Sequence, residues 1–414
     1  MDSIKPFKIT VPEAKLVALR RKLEDATFPD ELDGAGWALG APLDDIKRLV
    51  AYWKDQFDWR AKEQELNDEL PQFTTEIDVQ GFGKTEIHFV HQRSKIEDAI
   101  PLLFIHGWPG SFIEVRKLLP LLTQGDATKP AFHVVAPSLP NFGFSQGITK
   151  RGFGFVQYAE FLNSLMKVLG YEEYVTQGGD WGAILSRTLA QQYPENVRAI
   201  HLNFNPVMPP YPWRYPLLFL QTLLTLPFSA NERAKLANTK KYLTEGNGYM
   251  HQQETRPQTL GYGLHDSPVG LLAWIYEKLR VWTDSYPWTD DEILTWVSIY
   301  QFSAAGPAAS TRIYYEASNP PPSTESHRSI SLQQLFYSSA PRTVKIALAH
   351  FPREIITLPL TWNRTIGNVV RQTEFERGGH FAAWEVPDLL AGDLQRFFGK
   401  NGESYGAVTG KNGF

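Results

Sequence analysis

Residues 178–182 read GGDWG, between the apolar run YEEYVTQ and the helix-like AILSRTLAQQY. Glycines around a polar residue permit the sharp strand-to-helix turn on which a catalytic nucleophile is presented, and Asp180 holds the central position. An aspartate there is either a helix N-cap or a carboxylate nucleophile, and the small residues on both sides favour the nucleophile. The unpaired N–H groups of a first helical turn would also stabilise the ionised form that must attack. A second pentapeptide, GFSQG at 143–147, matches the G-x-S-x-G pattern in letters, with Ser145 at its centre. Its context is wrong: the strand-like HVVAPSL ends several residues earlier, Pro140 and Asn141 intervene, and no helix follows. Ser145 is set aside on that ground.

A carboxylate nucleophile selects its chemistry. Acyl transfer to it would give a labile anhydride, whereas displacement at a saturated carbon gives an alkyl ester that water can hydrolyse. That second step needs a base and a site for the oxyanion. In the chain order nucleophile, acid, histidine, His380 in ERGGHFAAWE follows two glycines and opens a helix, and Glu354 in FPREI follows the strand-like VKIALAH. Asn203 and Asn205, after an earlier strand, are amides and cannot take the role of the acid. HGWPG at 106–110 directly follows the apolar PLLFI, so the Trp108 N–H can form half of an oxyanion hole and the Trp181 N–H, next after the nucleophile, the other half.

For these groups to meet, strands and helices must alternate around one sheet. A capping box of Thr10 and Glu13, with Pro12 near the first turn and Leu16, Leu19 and Leu23 at helical spacing, predicts a helix within 10–28. Leu43, Ile46, Leu49, Val50 and Trp53 predict a second at 42–57. From Phe73 the alternating TTEIDVQ and KTEIHFVHQ predict an outer hairpin, and the continuous PLLFIHG and AFHVVAPSL a buried sheet. Helix 155–169, strand 172–177, helix 182–193 and strand 197–204 continue in the order of parallel pairing with right-handed crossovers. At Asn205 the alternation gives way to PVMPPYPWRYP and a mostly helical insertion, ending in the loop ASNPPPSTESHRS at 317–329. Strand VKIALAH and helix 382–398 then resume the interrupted core. The expected division is a helical extension (1–72), core (73–205), lid (206–330), core again (331–400) and a glycine-rich tail (401–414) that is poorly ordered.

Composition narrows the function classes. The chain of 414 residues carries a net charge of −4 with 21% charged residues, which offers no basic stripe for nucleic acid and no polybasic segment for anionic lipid. The absence of cysteine excludes disulfides, thiolate metal sites and a cysteine nucleophile. No apolar signal-peptide core is present near the N-terminus, and runs such as PLLFLQTLLTLPF at 216–228 are too short to span a bilayer. A buried or lid helix is expected for that run in preference to an interfacial one. With 13% aromatic residues, 12 of them Trp, large apolar contacts in the core or around a lined cavity are expected.

HGWPG, GGDWG, Glu354 and the terminal RGGHFAAWE together resemble the epoxide hydrolases of the α/β-hydrolase fold, in particular the branch of microsomal and fungal enzymes. The resemblance covers nearly the whole chain, and the lid-like EGNGYMHQQETRPQTLGYGLHDSPVGLLAWIYEK is its most specific part. It implies an α/β fold with a mostly parallel eight-stranded sheet flanked by helices, a helical lid insertion and an N-terminal helical meander. It also implies two phenols that hydrogen-bond the epoxide oxygen, Tyr249 in GYMHQQETRP and Tyr314 in STRIYYEAS, with adjacent Tyr315 the alternative to Tyr314, and a cis bond before Pro109. The implied reaction takes apolar epoxides and water to vicinal diols through an ester on Asp180, without cofactor or metal. A possible homodimer is implied; no nucleic-acid partner is. Mammalian microsomal members carry an N-terminal membrane anchor that is not found here, so a soluble, cytoplasmic enzyme is expected. Two other readings stay open: a dehalogenase with the same nucleophile, using Trp108 and Trp181 as halide donors, and a non-catalytic ligand-binding protein on this fold.

Overall fold

The computed structural model describes residues 4–324 and 328–414; residues 1–3, and 325–327 of the expected 317–329 loop, lie outside the described residues. A short strand β1 (Lys5–Pro6) precedes helices α1 (Glu13–Glu24), α2 (Leu43–Asp55) and α3 (Trp59–Glu69). α1 starts later than expected and without the capping box: Pro12 stands at its N-cap with no side-chain cap bond, and the Glu13 carboxylate pairs with Arg60 at 2.8 Å. The sequence reading has no counterpart of α3, because WRAKEQELNDE has almost no apolar stripe. Asp58 starts it by accepting from the Ala61 N–H, and buried Glu63 ties it to the N-terminal segment by accepting from the Val11 N–H at 2.6 Å.

The expected hairpin forms as antiparallel β2 (Gln72–Val79) and β3 (Gly83–Gln92). It is followed by β4 (Ile100–Ile105), the short helix α4 (Leu119–Thr123), β5 (Phe132–Pro137), α5 (Phe155–Val168), β6 (Tyr174–Gly178), α6 (Asp180–Gln192) and β7 (Val197–Leu202). After the lid come α14 (Leu332–Phe336), β8 (Lys345–His350), α15 (Leu360–Asn363), β9 (Asn368–Glu374), α16 (Ala382–Glu385) and α17 (Pro387–Phe398). The sheet order is β1-β2-β3-β5-β4-β6-β7-β8-β9, parallel from β5 through β4 to β9 and antiparallel on the β1 side. This is the α/β-hydrolase arrangement, with nine strands among the described residues where eight were expected. The ninth is β1, two residues paired along β2. β9 reads as NVVRQTE, half-exposed along its length, and so has no apolar run to mark it. The helix expected at 382–398 is divided because Pro387 starts a new one, α17.

The insertion is the helical lid: α7 (Pro216–Thr225), α8 (Ala230–Lys241), α9 (Gly248–Thr255), α10 (Pro257–Asp266), α11 (Pro268–Val281), α12 (Asp290–Gln301) and α13 (Arg312–Ser318). The N-terminal extension fastens it to the core. Arg48 pairs with Asp290, Tyr52 Oη donates to Asp291 at 2.9 Å, and Tyr276 Oη donates to Asp45 at 2.9 Å. α7 lies in the lid as expected but is covered on one side only: Thr222 is buried, while Leu217, Leu220, Leu223 and Leu224 face solvent. The 401–414 tail, expected to be loose, is tied to the core, since Val408 is buried and the Gly413 N–H and C=O bond Asp98 and Ala131, both at 2.8 Å.

Candidate active site

The two glycine-rich loops meet at the C-terminal ends of β4 and β6. At the turn from β6 into α6, Asp180 has φ +47°, a left-handed conformation that is uncommon for a residue with a side chain. The loops press together so closely that a Cβ on Gly182 would lie 1.8 Å from the Ile105 carbonyl oxygen, and one on Gly107 would lie 2.3 Å from Asp180. Only glycine permits that approach at either position.

This approach brings the Trp108 N–H to Asp180, where it donates to Oδ1 at 2.7 Å. Trp181 follows at the second position of α6, and among the described residues its N–H makes no bond to that oxygen. The Trp108–Pro109 bond is cis, as the resemblance implies. The lid holds this loop from the other side: Trp296 Nε1 donates to the Pro109 carbonyl and Tyr300 Oη to the Gly110 carbonyl.

His380 faces the second carboxylate oxygen, with Nε2 3.4 Å from Asp180 Oδ2. Its Nδ1 is 2.6 Å from Glu354 Oε1, which also accepts from the Ile355 N–H at 2.7 Å. The three expected residues are therefore in contact in the expected order. His380 and Glu354 are buried, and the His380 N–H donates to the Trp282 carbonyl at the end of α11. Burial disfavours the imidazolium, but Glu354 and Asp180 outweigh it and raise the His380 pKa to about 10.

Tyr249 at the start of α9 and Tyr314 in α13 both converge on the loops. The Tyr249 ring stacks on Trp108 at 5.2 Å, the Tyr314 ring meets Trp181 edge-on at 4.7 Å, and the two phenol rings are 6.0 Å apart. Burial raises both phenol pKa values well above the ordinary value, and the Asp180 charge adds to the rise, so both keep their protons. Among the described residues no hydrogen bond of normal geometry reaches the buried Tyr314 Oη, which lies beside Trp181 and Tyr249. Tyr315 lies elsewhere, its ring under the Arg151 guanidinium. Ser145 is fully buried and structural: its Oγ donates to the Ser138 carbonyl at 2.6 Å and accepts from the His88 N–H at 2.9 Å.

Sequence reasoning passed over three neighbours. Tyr242 Oη is 2.9 Å from Tyr249 Oη, and the Trp282 ring packs 5.0 Å from the His380 ring. Neither has a local pattern that would mark it. The third, Glu114, has one: SFIE at 111–114 is a capping box, formed here with Ser111 at the turn after HGWPG.

A cavity of about 20 Å³ lies among Asp180, His380, Glu114, Gly107, Gln177 and Asn203. It has room for about one water molecule and none for an organic substrate. A separate cavity of about 230 Å³ reaches Glu354 and Asn203, but Asp180 is not part of its lining. Among the described residues no group of three or more Asp, Glu or His is placed to hold a metal ion, and no helix is long and apolar enough to cross a membrane.

Two family descriptions match the chain: "Epoxide hydrolase N terminus" over residues 4–115 and "alpha/beta hydrolase fold" over 100–238. A Stigmatella aurantiaca protein provisionally named an epoxide hydrolase is 40% identical over 407 residues, 95% of this chain and 84% of that protein. "Epoxide hydrolase 1" of Sus scrofa is 33% identical, with 96% of this chain and 89% of that protein covered. Among solved structures, the Aspergillus niger epoxide hydrolase superposes with a TM-score of 0.80 at 32% identity, covering 95% of both chains.

Proposed function

The chain belongs to the epoxide hydrolases of the α/β-hydrolase fold and is a hydrolase acting on epoxides, and from that premise we propose the role of each residue in its site. Asp180 is the nucleophile. Its Oδ2 attacks an epoxide carbon, the carbon–oxygen bond of the strained ring breaks, and Tyr249 and Tyr314 hydrogen-bond the departing oxygen, one of them giving it the phenol proton so that it leaves as the hydroxyl of the bound ester. The buried Tyr314 Oη supports this role, because an epoxide oxygen would complete its hydrogen bonding.

Water then hydrolyses the ester. His380 Nε2 takes one proton from the water, whose oxygen attacks Cγ of Asp180, and charge collects on Oδ1. The Trp108 N–H is in place to hold that charge, with the Trp181 N–H as its second donor. Collapse breaks the bond between Cγ and the alkyl oxygen, which takes up the second proton of the water and leaves as a hydroxyl of the vicinal diol, restoring the carboxylate beside protonated His380. In the resting enzyme the Asp180 charge helps hold a proton on His380. Alkylation cancels that charge and the imidazole passes its proton to the phenoxide left by ring opening, so it can act as base only once the ester exists, while Glu354 keeps its orientation.

The observation that carries this assignment is the asymmetry of the Asp180 carboxylate, with Oδ1 on the Trp108 N–H and Oδ2 toward His380. A dehalogenase would have no use for a pair of buried phenols above its nucleophile, so they favour epoxide opening. The rings of Trp108, Tyr249, Trp282 and Tyr314, packed together beside Asp180, favour apolar epoxides. We assign the possible homodimer to the open face of α7.

The test is a single turnover in heavy-oxygen water followed by mass analysis of the peptide containing residue 180. Label is expected in the Asp180 carboxylate and not in the first diol released. Diol formation with no label in Asp180 overturns the covalent route.

A further inference from the structure

Two side chains around Tyr249 have no part in that scheme. Tyr242 is the first residue of a π-helical turn, Tyr242–Gly246, that joins α8 to α9. Such turns are rare and recur at functional sites. Residues seven apart in an unbroken α-helix lie about 10 Å apart along its axis. Here the Tyr242 and Tyr249 hydroxyl oxygens are 2.9 Å apart. Lys278 of α11 is the second side chain. It is 3% exposed, and its Nζ lies 4.7 Å from the centre of the Tyr249 ring, with the Trp274 and Trp282 rings at 5.7 and 5.8 Å. The adjacent Glu277 carboxylate favours its charged form against burial. A buried ammonium costs the fold stability, and the rings around it, Tyr249 among them, offset part of that cost.

We propose that Tyr242 and Lys278 are positioning residues for ring opening, which make Tyr249 the phenol that gives its proton to the epoxide oxygen. The inference rests on the covalent reading given above. Alkylation removes the negative charge from Asp180, and the proton given to the ring oxygen leaves that charge on the donor phenol. The site must therefore hold a phenoxide until the His380 proton arrives. Burial raises the Tyr249 pKa well above the ordinary value, and Tyr314, Tyr242 and Asp180 add to the rise, so its proton leaves only if the phenoxide is stabilised as it forms. With the Tyr249 O–H turned to the epoxide oxygen, the Tyr242 O–H is the group that can donate to the Tyr249 oxygen, and burial keeps Tyr242 protonated. Hydrogen bonds running in one direction strengthen one another, most of all when the acceptor becomes charged. The Lys278 cation sets opposite charge over the same ring. Tyr314 has no such support at its oxygen: among the described residues no hydrogen bond of normal geometry reaches it, which leaves it to hydrogen-bond the epoxide oxygen. In the balanced step Asp180 Oδ2 bonds the carbon, the carbon–oxygen bond breaks, and the Tyr249 proton goes to the departing oxygen. The proton on His380 then restores Tyr249.

The experiment measures formation and decay of the alkylated Asp180 peptide by rapid quench with two epoxides of nearly equal size, 1,2-epoxyhexane and 3,3-difluoro-1,2-epoxyhexane. The fluorines make the departing oxygen a much weaker base, so it depends less on a proton as it leaves. With epoxyhexane, Tyr242→Phe and Lys278→Met should each slow ester formation by about tenfold or more, with decay unchanged. With the difluoro epoxide both should form ester within about threefold of the parent. Lys278→Arg, which keeps a cation, should stay within about threefold of the parent with either substrate. Equal slowing with the two epoxides, equal slowing of formation and decay, or parent-like formation from epoxyhexane overturns the proposal for the residue concerned. Lys278→Arg as slow as Lys278→Met overturns the role of the charge over the ring. A parent that forms diol with no alkylated Asp180 overturns the covalent reading instead.

Discussion

The strongest charge coupling in the site is between His380 and its two carboxylates, and it makes a prediction about stability as well as rate. Below about pH 6.5 the imidazole is protonated in the folded and unfolded chains alike, so its pairing with Glu354 and Asp180 stabilises the fold in full. As pH rises the unfolded chain loses the proton first, and the folded chain keeps it to about pH 10, so this stabilisation declines between those limits. The unfolding free energy of the parent should fall more between pH 6 and pH 10 than that of His380→Gln, by on the order of a few kcal/mol in denaturant titrations. Parallel pH dependence in the two proteins would show that the proton is not held there. The phenols predict a rate effect. Tyr249→Phe or Tyr314→Phe should slow ester formation by ~10²-fold and the double variant by more, with ester decay little changed. That Asp180, His380 and Glu354 meet was legible in the sequence because a glycine-flanked strand-to-helix turn fixes its own local pattern and the three follow the chain order expected of a nucleophile, an acid and a histidine. Tyr249 and Tyr314 were legible only through resemblance, since nothing local separates them from the other tyrosines. Glu114 was missed because its pattern, a capping box, reads as structural until the fold places it beside Asp180.

At the scale of elements, the site depends on how closely α6 approaches β4. With the Ile105 carbonyl 1.8 Å from where a Cβ on residue 182 would stand, Gly182→Ala must push the start of α6 away from the oxyanion loop. The obstructing atom is backbone and cannot rotate aside. A loss of stability of about 3 kcal/mol is expected from chemical denaturation, at the upper end for overpacking, together with loss of the Trp108 bond to Asp180 and hence of activity. Retained activity and unchanged stability would show that the two loops can separate freely. The parallel core was legible because its strands are continuous apolar runs and its helices have clear periods. The elements that escaped, α3 and β9, are those whose burial is partial and whose positions are set by tertiary contacts: Glu63 of α3 bonding the Val11 N–H, and β9 pairing with β8. The capping box expected at Thr10 failed for a related reason, since Arg60 of α3 competes for the Glu13 carboxylate.

For the molecule as a whole, the open face of α7 is the feature that a single copy leaves unexplained. The helix PLLFLQTLLT has no charged residue and is apolar on both faces, a pattern of helices covered on all sides. Its inner face meets the core where Thr222 Oγ1 lies 3.0 Å from Thr361 Oγ1 of α15. Along the helix Leu217 is 81% exposed, Leu224 63%, and Leu220 and Leu223 about half, while Trp213 before it and Phe228 after it are 79% and 85% exposed. At roughly 150–250 Å² for a large side chain fully exposed, these six leave on the order of 800 Å² of apolar surface in contact with water. That exceeds the ~300–600 Å² patch of an ordinary monomer and matches the ~800 Å² that each partner gives to a standard interface. A second copy related by a two-fold axis would set the uncharged α7 of each chain against its equivalent, with no like charges brought together along the helix. Sedimentation velocity at micromolar concentration should therefore give a dimer for the parent and a monomer for the Leu217→Glu, Leu224→Glu double variant, with epoxide turnover retained because neither residue lines the site. A parent that sediments as a monomer, or a double variant that still dimerises, overturns the assignment. A monomeric parent that co-sediments with phosphatidylglycerol vesicles, while the double variant does not, would transfer the face from a second copy to a lipid surface.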